Sequence, residues 1–91
     1  MRNYKEIIDK LKLTKVSLVS VEEKEDYDIL TLHGGLNGSG DFYRYLEQVI
    51  AIVSKLELEF NTMWDIWLID WINDCPDDRW VLRIGARKNN I

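Results

Sequence analysis

The sequence predicts an α+β fold: a single compact domain over residues 1–91, elements in the order α-β-β-α-β-β, and an antiparallel four-stranded sheet with helices packed on one face. Three observations predict it. Phe42, Tyr45, Leu46, Val49, Ile50, Val53 and Leu56 recur at helical spacing and are all apolar. Two β-rich runs, Thr14 to Val21 and Tyr27 to His33, flank the short polar segment Glu22-Glu23-Lys24-Glu25-Asp26, as in a hairpin. From Arg79 to Arg87 the chain alternates, with Trp80, Leu82, Ile84 and Ala86 on one side and Val81, Arg83, Gly85 and Arg87 on the other. One helix between two hairpins suits a single antiparallel sheet with a helical layer.

The first element is a short helix ending near Lys12. Asn3 caps it, Glu6 three positions on completes an approximate capping box, and Tyr4, Ile7, Ile8 and Leu11 make its apolar face. After the first hairpin, Gly34-Gly35-Leu36-Asn37-Gly38-Ser39-Gly40 holds four of the five glycines and reads as a loop. Ser39 or Asp41 caps the long helix that follows. Residues 63–72 fit two readings. As a helix, Trp64, Trp67, Leu68, Trp71, Ile72 and Cys75 form a stripe capped by Thr62 and stopped by Pro76, with Ile66 and Ile69 stranded opposite. As a strand, the run pairs with 79–87 through the turn-rich stretch Asn73 to Asp78, and this reading is favoured. Its two rows are then Trp64, Ile66, Leu68, Asp70, Ile72 and Met63, Asp65, Trp67, Ile69, Trp71. Both are apolar, so one row faces away from the helices and needs a cover from within the chain or from a partner.

Composition narrows the function classes. The chain is 46% hydrophobic and 31% charged with four Trp, which excludes a disordered segment. The net charge of −4 gathers in two stretches, −4 over residues 20–34 and −7 over 41–78, against +3 over 1–15 and +4 over 79–91. That balance argues against direct nucleic-acid binding and permits a basic partner. One cysteine, Cys75, allows no internal disulfide. With no apolar leader and no apolar run near the ~20 residues of a membrane span, a cytoplasmic location and no membrane association are expected.

No catalytic set assembles. His33 is the only histidine, and Cys75 stands among acids that raise rather than lower a thiol pKa. The Asp70, Asn73, Asp74, Asp77 and Asp78 group lacks the alternation and central glycine of a calcium loop, so no metal and no cofactor are expected. Two binding readings stay open. In the first, Trp64, Trp67 and Trp71 with Asp65 and Asp70 form a recognition surface, Trp67 and Trp71 sharing one sheet face. Acids at Glu22, Glu23, Glu25, Asp26, Asp77 and Asp78 steer a basic protein onto it. In the second, Gly35, Asn37, Gly38, Ser39 and Gly40 at the start of the long helix cradle an anion or nucleotide. Asp41 replaces the Lys that a phosphate loop requires, which weakens that reading. A homodimer that hides the apolar face is a third way to satisfy the same surface. In size, acidity and aromatic content the chain is similar to compact inhibitor, immunity and anti-defence proteins, a likeness of type that transfers no residue roles.

Overall fold

Helix α1 spans Tyr4–Lys10, strand β1 Ser17–Glu23, β2 Tyr27–Leu36, helix α2 Phe42–Phe60, β3 Ile66–Asp74 and β4 Arg79–Arg87. The computed structural model describes residues 2–36, 42–60, 65–74 and 79–88. The sheet order is β1-β2-β4-β3 with every neighbouring pair antiparallel, so the two hairpins join through β2 and β4, and α2 makes the crossover. The ambiguous run is a strand from Ile66 onward.

One face of the sheet presents Leu30 and Leu32 of β2 and Leu82, Ile84 and Ala86 of β4 to the helices. Against them lie Tyr45, Val49, Ile52 and Leu56 of α2 and Tyr4 and Ile8 of α1. The buried stripe of α2 is therefore centred on 45, 49, 52 and 56, at helical 4-3-4 spacing. Ile50, expected on that stripe, is 59% exposed.

Local interactions explain where the elements differ from expectation. Thr14 and Lys15 were expected in β1, but both are engaged by α2: the Lys15 N–H donates to Gln48 Oε1 at 2.7 Å and Gln48 Nε2 donates to Thr14 Oγ1 at 3.0 Å. Asn3 does not cap α1 through its side chain, which donates instead to the Glu6 carboxylate. The helix closes where Lys12 adopts a left-handed φ of 53°.

Strand β2 continues to Leu36 through Gly34 and Gly35, which the composition assigns to a loop. The reason is a close approach. A Cβ on Gly34 would stand 2.1 Å from Cε2 of Tyr45, so the tyrosine ring occupies the space a side chain would need. That ring stacks with Trp80 at 6.3 Å and meets Trp71 edge-on at 5.8 Å, and the two indoles lie 5.4 Å apart. The trio closes the helix side of the sheet where β2 leads toward α2.

Three substitutions test this packing. Tyr45 is fully buried and cannot retreat, so Gly34→Ala should cost about 1–3 kcal/mol of unfolding free energy. Gly85→Ala meets the partly exposed Trp67, whose indole can lift, and should cost less than Gly34→Ala in urea unfolding. Equal costs would contradict the assigned difference in confinement. The Tyr45 hydroxyl is buried without a hydrogen bond to any described residue, so Tyr45→Phe removes an uncompensated polar group. Its urea midpoint should rise, whereas a lower midpoint would mean that the hydroxyl is satisfied.

Candidate functional site: the open sheet face and its acidic margin

The face of the sheet away from the helices carries Tyr27, Ile29, Thr31 and His33 of β2 and Val81, Arg83, Gly85 and Arg87 of β4, paired across the ladder. Strand β3 adds Trp67 opposite Gly85, Asp70 opposite Arg83 and Ile72 opposite Val81. Trp67 is 37% exposed. Its indole crosses β4 at the notch left by Gly85, where a Cβ would come within 2.5 Å of the ring, and reaches Tyr27 of β2 at 5.4 Å. The Arg87 guanidinium stands 5.8 Å from the same ring and pairs with Asp65 at 3.5 Å. A strand glycine with an aromatic neighbour is the signal that links Gly85 to Trp67.

Trp67 and Trp71 do not share this face, contrary to expectation. The β3 register shifts between Leu68 and Asp70, which inserts Ile69 as an extra residue and reverses the alternation beyond it. Trp71 consequently pairs with Leu82 and packs against the core, beside Tyr45 and Trp80. Asp70, expected in the row opposite Trp67, joins it on the open face for the same reason. There its carboxylate grips Arg83: Nε donates to both oxygens at 2.9 and 3.1 Å, and Nη2 donates to Oδ2. The Arg83 hydrogen bonds hold the Asp70 carboxyl below its ordinary pKa.

At the Tyr27 end of the sheet lies the acidic corner: Glu22 and Glu23, expected in the turn, are the last residues of β1, paired with Ile29 and Asp28, and the turn itself is residues 24–26. Glu22 pairs with Lys24 at 2.9 Å, and that contact lowers the Glu22 pKa. Glu23, Glu25 and Asp26 make no ion pair with a described residue. The neighbouring cation Lys88 is committed within the chain: its N–H donates to Asp26 O at 2.9 Å and its Nζ to Lys24 O at 2.6 Å. Trp64, Asp77, Asp78, Asn37, Gly38, Ser39 and Gly40 lie outside the described residues. Gly35, expected in a ligand loop, is a residue of strand β2.

Sequence reasoning missed Tyr27, Arg87 and Gly85 as members of this patch. It also missed Asp28, which is 2% exposed and accepts from the Tyr4 hydroxyl at 2.7 Å, with Lys88 Nζ 3.6 Å from its other oxygen. Arg2, Asn3, Glu23, Asp28, Phe60 and Lys88 line a cleft of about 610 Å³ above this contact. Arg2 lies 4.6 Å from the Phe60 ring centre, and Phe60 meets Tyr4 edge-on at 5.6 Å. The cluster ties α1, the end of α2 and the exit of β4 to β2, which fixes the acidic turn against the sheet.

Tyr4→Phe removes the donor to a buried carboxylate and should cost about 1–3 kcal/mol, opposite in sign to Tyr45→Phe. Burial, aided for Tyr4 by the Asp28 hydrogen bond, pushes both tyrosine pKa values from 10.0 up to about 12. Between those values the folded chain holds protons that the unfolded chain has lost. Thermal stability should therefore fall as the pH rises from 10 toward 12, and the double Tyr→Phe variant should lose much of that slope. An unchanged slope would contradict the burial of these hydroxyls. Among the described residues no helix is long and apolar enough to cross a membrane. No family model matches the chain, and no curated protein or solved structure is significantly similar to it.

Proposed function

We propose that the chain is a small non-enzymatic binding protein that occupies the surface of another protein, as an inhibitor or accessory subunit, and that its target presents a basic face. The observation that carries this reading is Trp67 laid across the open sheet face, on the side away from both described helices. Trp, Tyr and Arg are the residues that most often dominate interface energetics, because they bury large rigid surfaces while keeping a polar handle. Trp67, Tyr27 and Arg87 stand together here, with Ile72 farther along the same face and 54% exposed.

Charge supports the choice of target. Asp65 and Asp70 are neutralised by Arg87 and Arg83 within the chain, so the aromatic patch itself is balanced. Glu23 at the end of β1 and Glu25 and Asp26 of the adjacent turn extend negative charge beside it. A rim of one sign beside a neutral aromatic centre speeds association with an oppositely charged surface more than it tightens the complex. Trp71, packed against the core on the helix side, drops out of the contact. The anion or nucleotide reading keeps Gly35 only as a strand residue, and the rest of its residues lie outside those described.

Gentle capture from a lysate of the source, followed by native mass spectrometry, tests the reading. The expected result is a stoichiometric complex with a basic protein. Trp67→Ala should weaken it at least about tenfold, or ~1.4 kcal/mol, while circular dichroism shows the domain still folded. Glu25→Lys with Asp26→Lys should slow association and reduce its salt dependence. A wild-type chain recovered bare, or a folded Trp67→Ala variant that keeps its partner, would overturn the proposal.

A further inference from the structure

The cleft of about 610 Å³ lined by Arg2, Asn3, Glu23, Asp28, Phe60 and Lys88 holds charges that its own residues leave unmatched. It lies on the helix side of the sheet, where Asp28 pairs with buried Ala86, and Trp67 lies on the other side.

Two acids stand side by side in it. Glu23 and Asp28 are direct partners across the β1–β2 ladder, an arrangement that repels unless cations intervene. One cation does so. Lys88 Nζ is 3.6 Å from Asp28 Oδ1, but its hydrogen bond goes to Lys24 O. Among the described residues no cation pairs with Glu23. Asp28 is 2% exposed, yet its Oδ1 accepts no hydrogen bond from a described residue, whereas Oδ2 takes the Tyr4 hydroxyl. A buried carboxylate oxygen without a donor costs free energy that an incoming donor recovers.

Elsewhere in the same lining the imbalance has the opposite sign. Arg2 donates to the Tyr4 hydroxyl at 3.2 Å, and its guanidinium stands 4.6 Å from the Phe60 ring centre. Among the described residues no carboxylate pairs with it. An unmatched cation and an unmatched anion therefore share one cleft without reaching each other, and Phe60 adds apolar surface.

We propose that this cleft binds a free α-amino acid with an apolar side chain. The ammonium seats against Glu23 and Asp28, the carboxylate takes the remaining guanidinium donors of Arg2, and the side chain lies along Phe60. Charge complementarity selects this class. The four charged side chains of the lining sum to zero, so a dipolar ligand of no net charge is matched at both ends. A simple anion meets Glu23 and Asp28 uncompensated, and a simple cation meets Arg2 and Lys88 in the same way. The planar fork of an arginine suits a carboxylate, to which it offers paired donors. The volume falls within the span of small-molecule clefts, about 300–1,000 Å³.

Amide chemical shifts of the ¹⁵N-labelled chain, titrated with L-phenylalanine and with L-leucine to ~10 mM, test this without any protein partner. At least one of the two should give saturable shifts at residues 2–3, 23–28 and 88, with a dissociation constant of about 1 mM or tighter. The carboxamide of the bound amino acid lacks the anion and its N-acetyl form lacks the cation, so each should bind at least about tenfold more weakly. Arg2→Gln and Glu23→Gln should each weaken binding as much while the spectrum stays that of a folded domain, and either variant suffices if the other does not fold. Trp67→Ala should bind as wild type does, so failure of the target-binding reading and failure of this one are separable. No saturable shift with either amino acid, shifts confined to the open face, or undiminished binding of a form lacking one charge would overturn the proposal. So would a folded Arg2→Gln or Glu23→Gln variant that binds as wild type does.

Discussion

Everything distinctive about this molecule follows from having one helical layer for a four-stranded sheet. An α-helix with its side chains is about 10–12 Å across, and strands stand about 4.8 Å apart. A seven-residue and a nineteen-residue helix cannot cover two faces of such a sheet. They are spent on one, where Tyr45, Ile52 and Leu56 meet Leu30, Leu32 and Ile84. Among the described residues, the other face and the margin along β3 are left to the strands' own side chains. Trp67 answers this on the open face by lying across three strands, which it can do only because Gly85 leaves β4 without a side chain at the crossing point. The same ring that covers this face is the one proposed to recognise a partner.

The covered side is organised by two dense contacts. One is the trio of Tyr45, Trp71 and Trp80, seated where Gly34 admits the tyrosine ring. The other is buried Asp28, which draws Tyr4 and Lys88 onto β2. The second contact matters for the surface, because Lys88 also bonds the backbone of Lys24 and Asp26. Committing that lysine inward leaves Glu23, Glu25 and Asp26 to define the electrostatic character of the turn. A structural clasp and the charge of the acidic turn are therefore coupled through one side chain.

Much of the architecture was legible in the sequence because it depends on local periodicity. The strands at 27–33 and 79–87 and the long helix follow from alternation and from helical spacing, and both patterns survive packing. What was not legible depends on partners distant in sequence. Nothing within residues 66–72 announces the extra residue at Ile69, and that one insertion turns Trp71 to the helix side, against the core, while Asp70 joins Trp67 on the open face. The Gly34-Gly35 pair carries the composition of a loop, yet Gly34 serves a strand, because its function is set by the Tyr45 ring across the layer. Asp28 looked like one more acid in an acidic stretch. Its burial is fixed by Tyr4, twenty-four residues away in the chain. The candidate site was legible in its tryptophan and its acidic turn, and illegible in the Tyr27, Gly85 and Arg87 setting that gives Trp67 its geometry.

The central claim is that the open sheet face and its acidic turn are the working surface of the molecule. Amide hydrogen exchange, compared between the free chain and its captured complex, tests it most directly, since each backbone N–H reports its own protection. Slowed exchange should concentrate at residues 22–29 and at Trp67, Gly85 and Arg87. Protection confined instead to residues 35–44, with those positions unchanged, would contradict the account and place the function at the glycine-rich entry to α2.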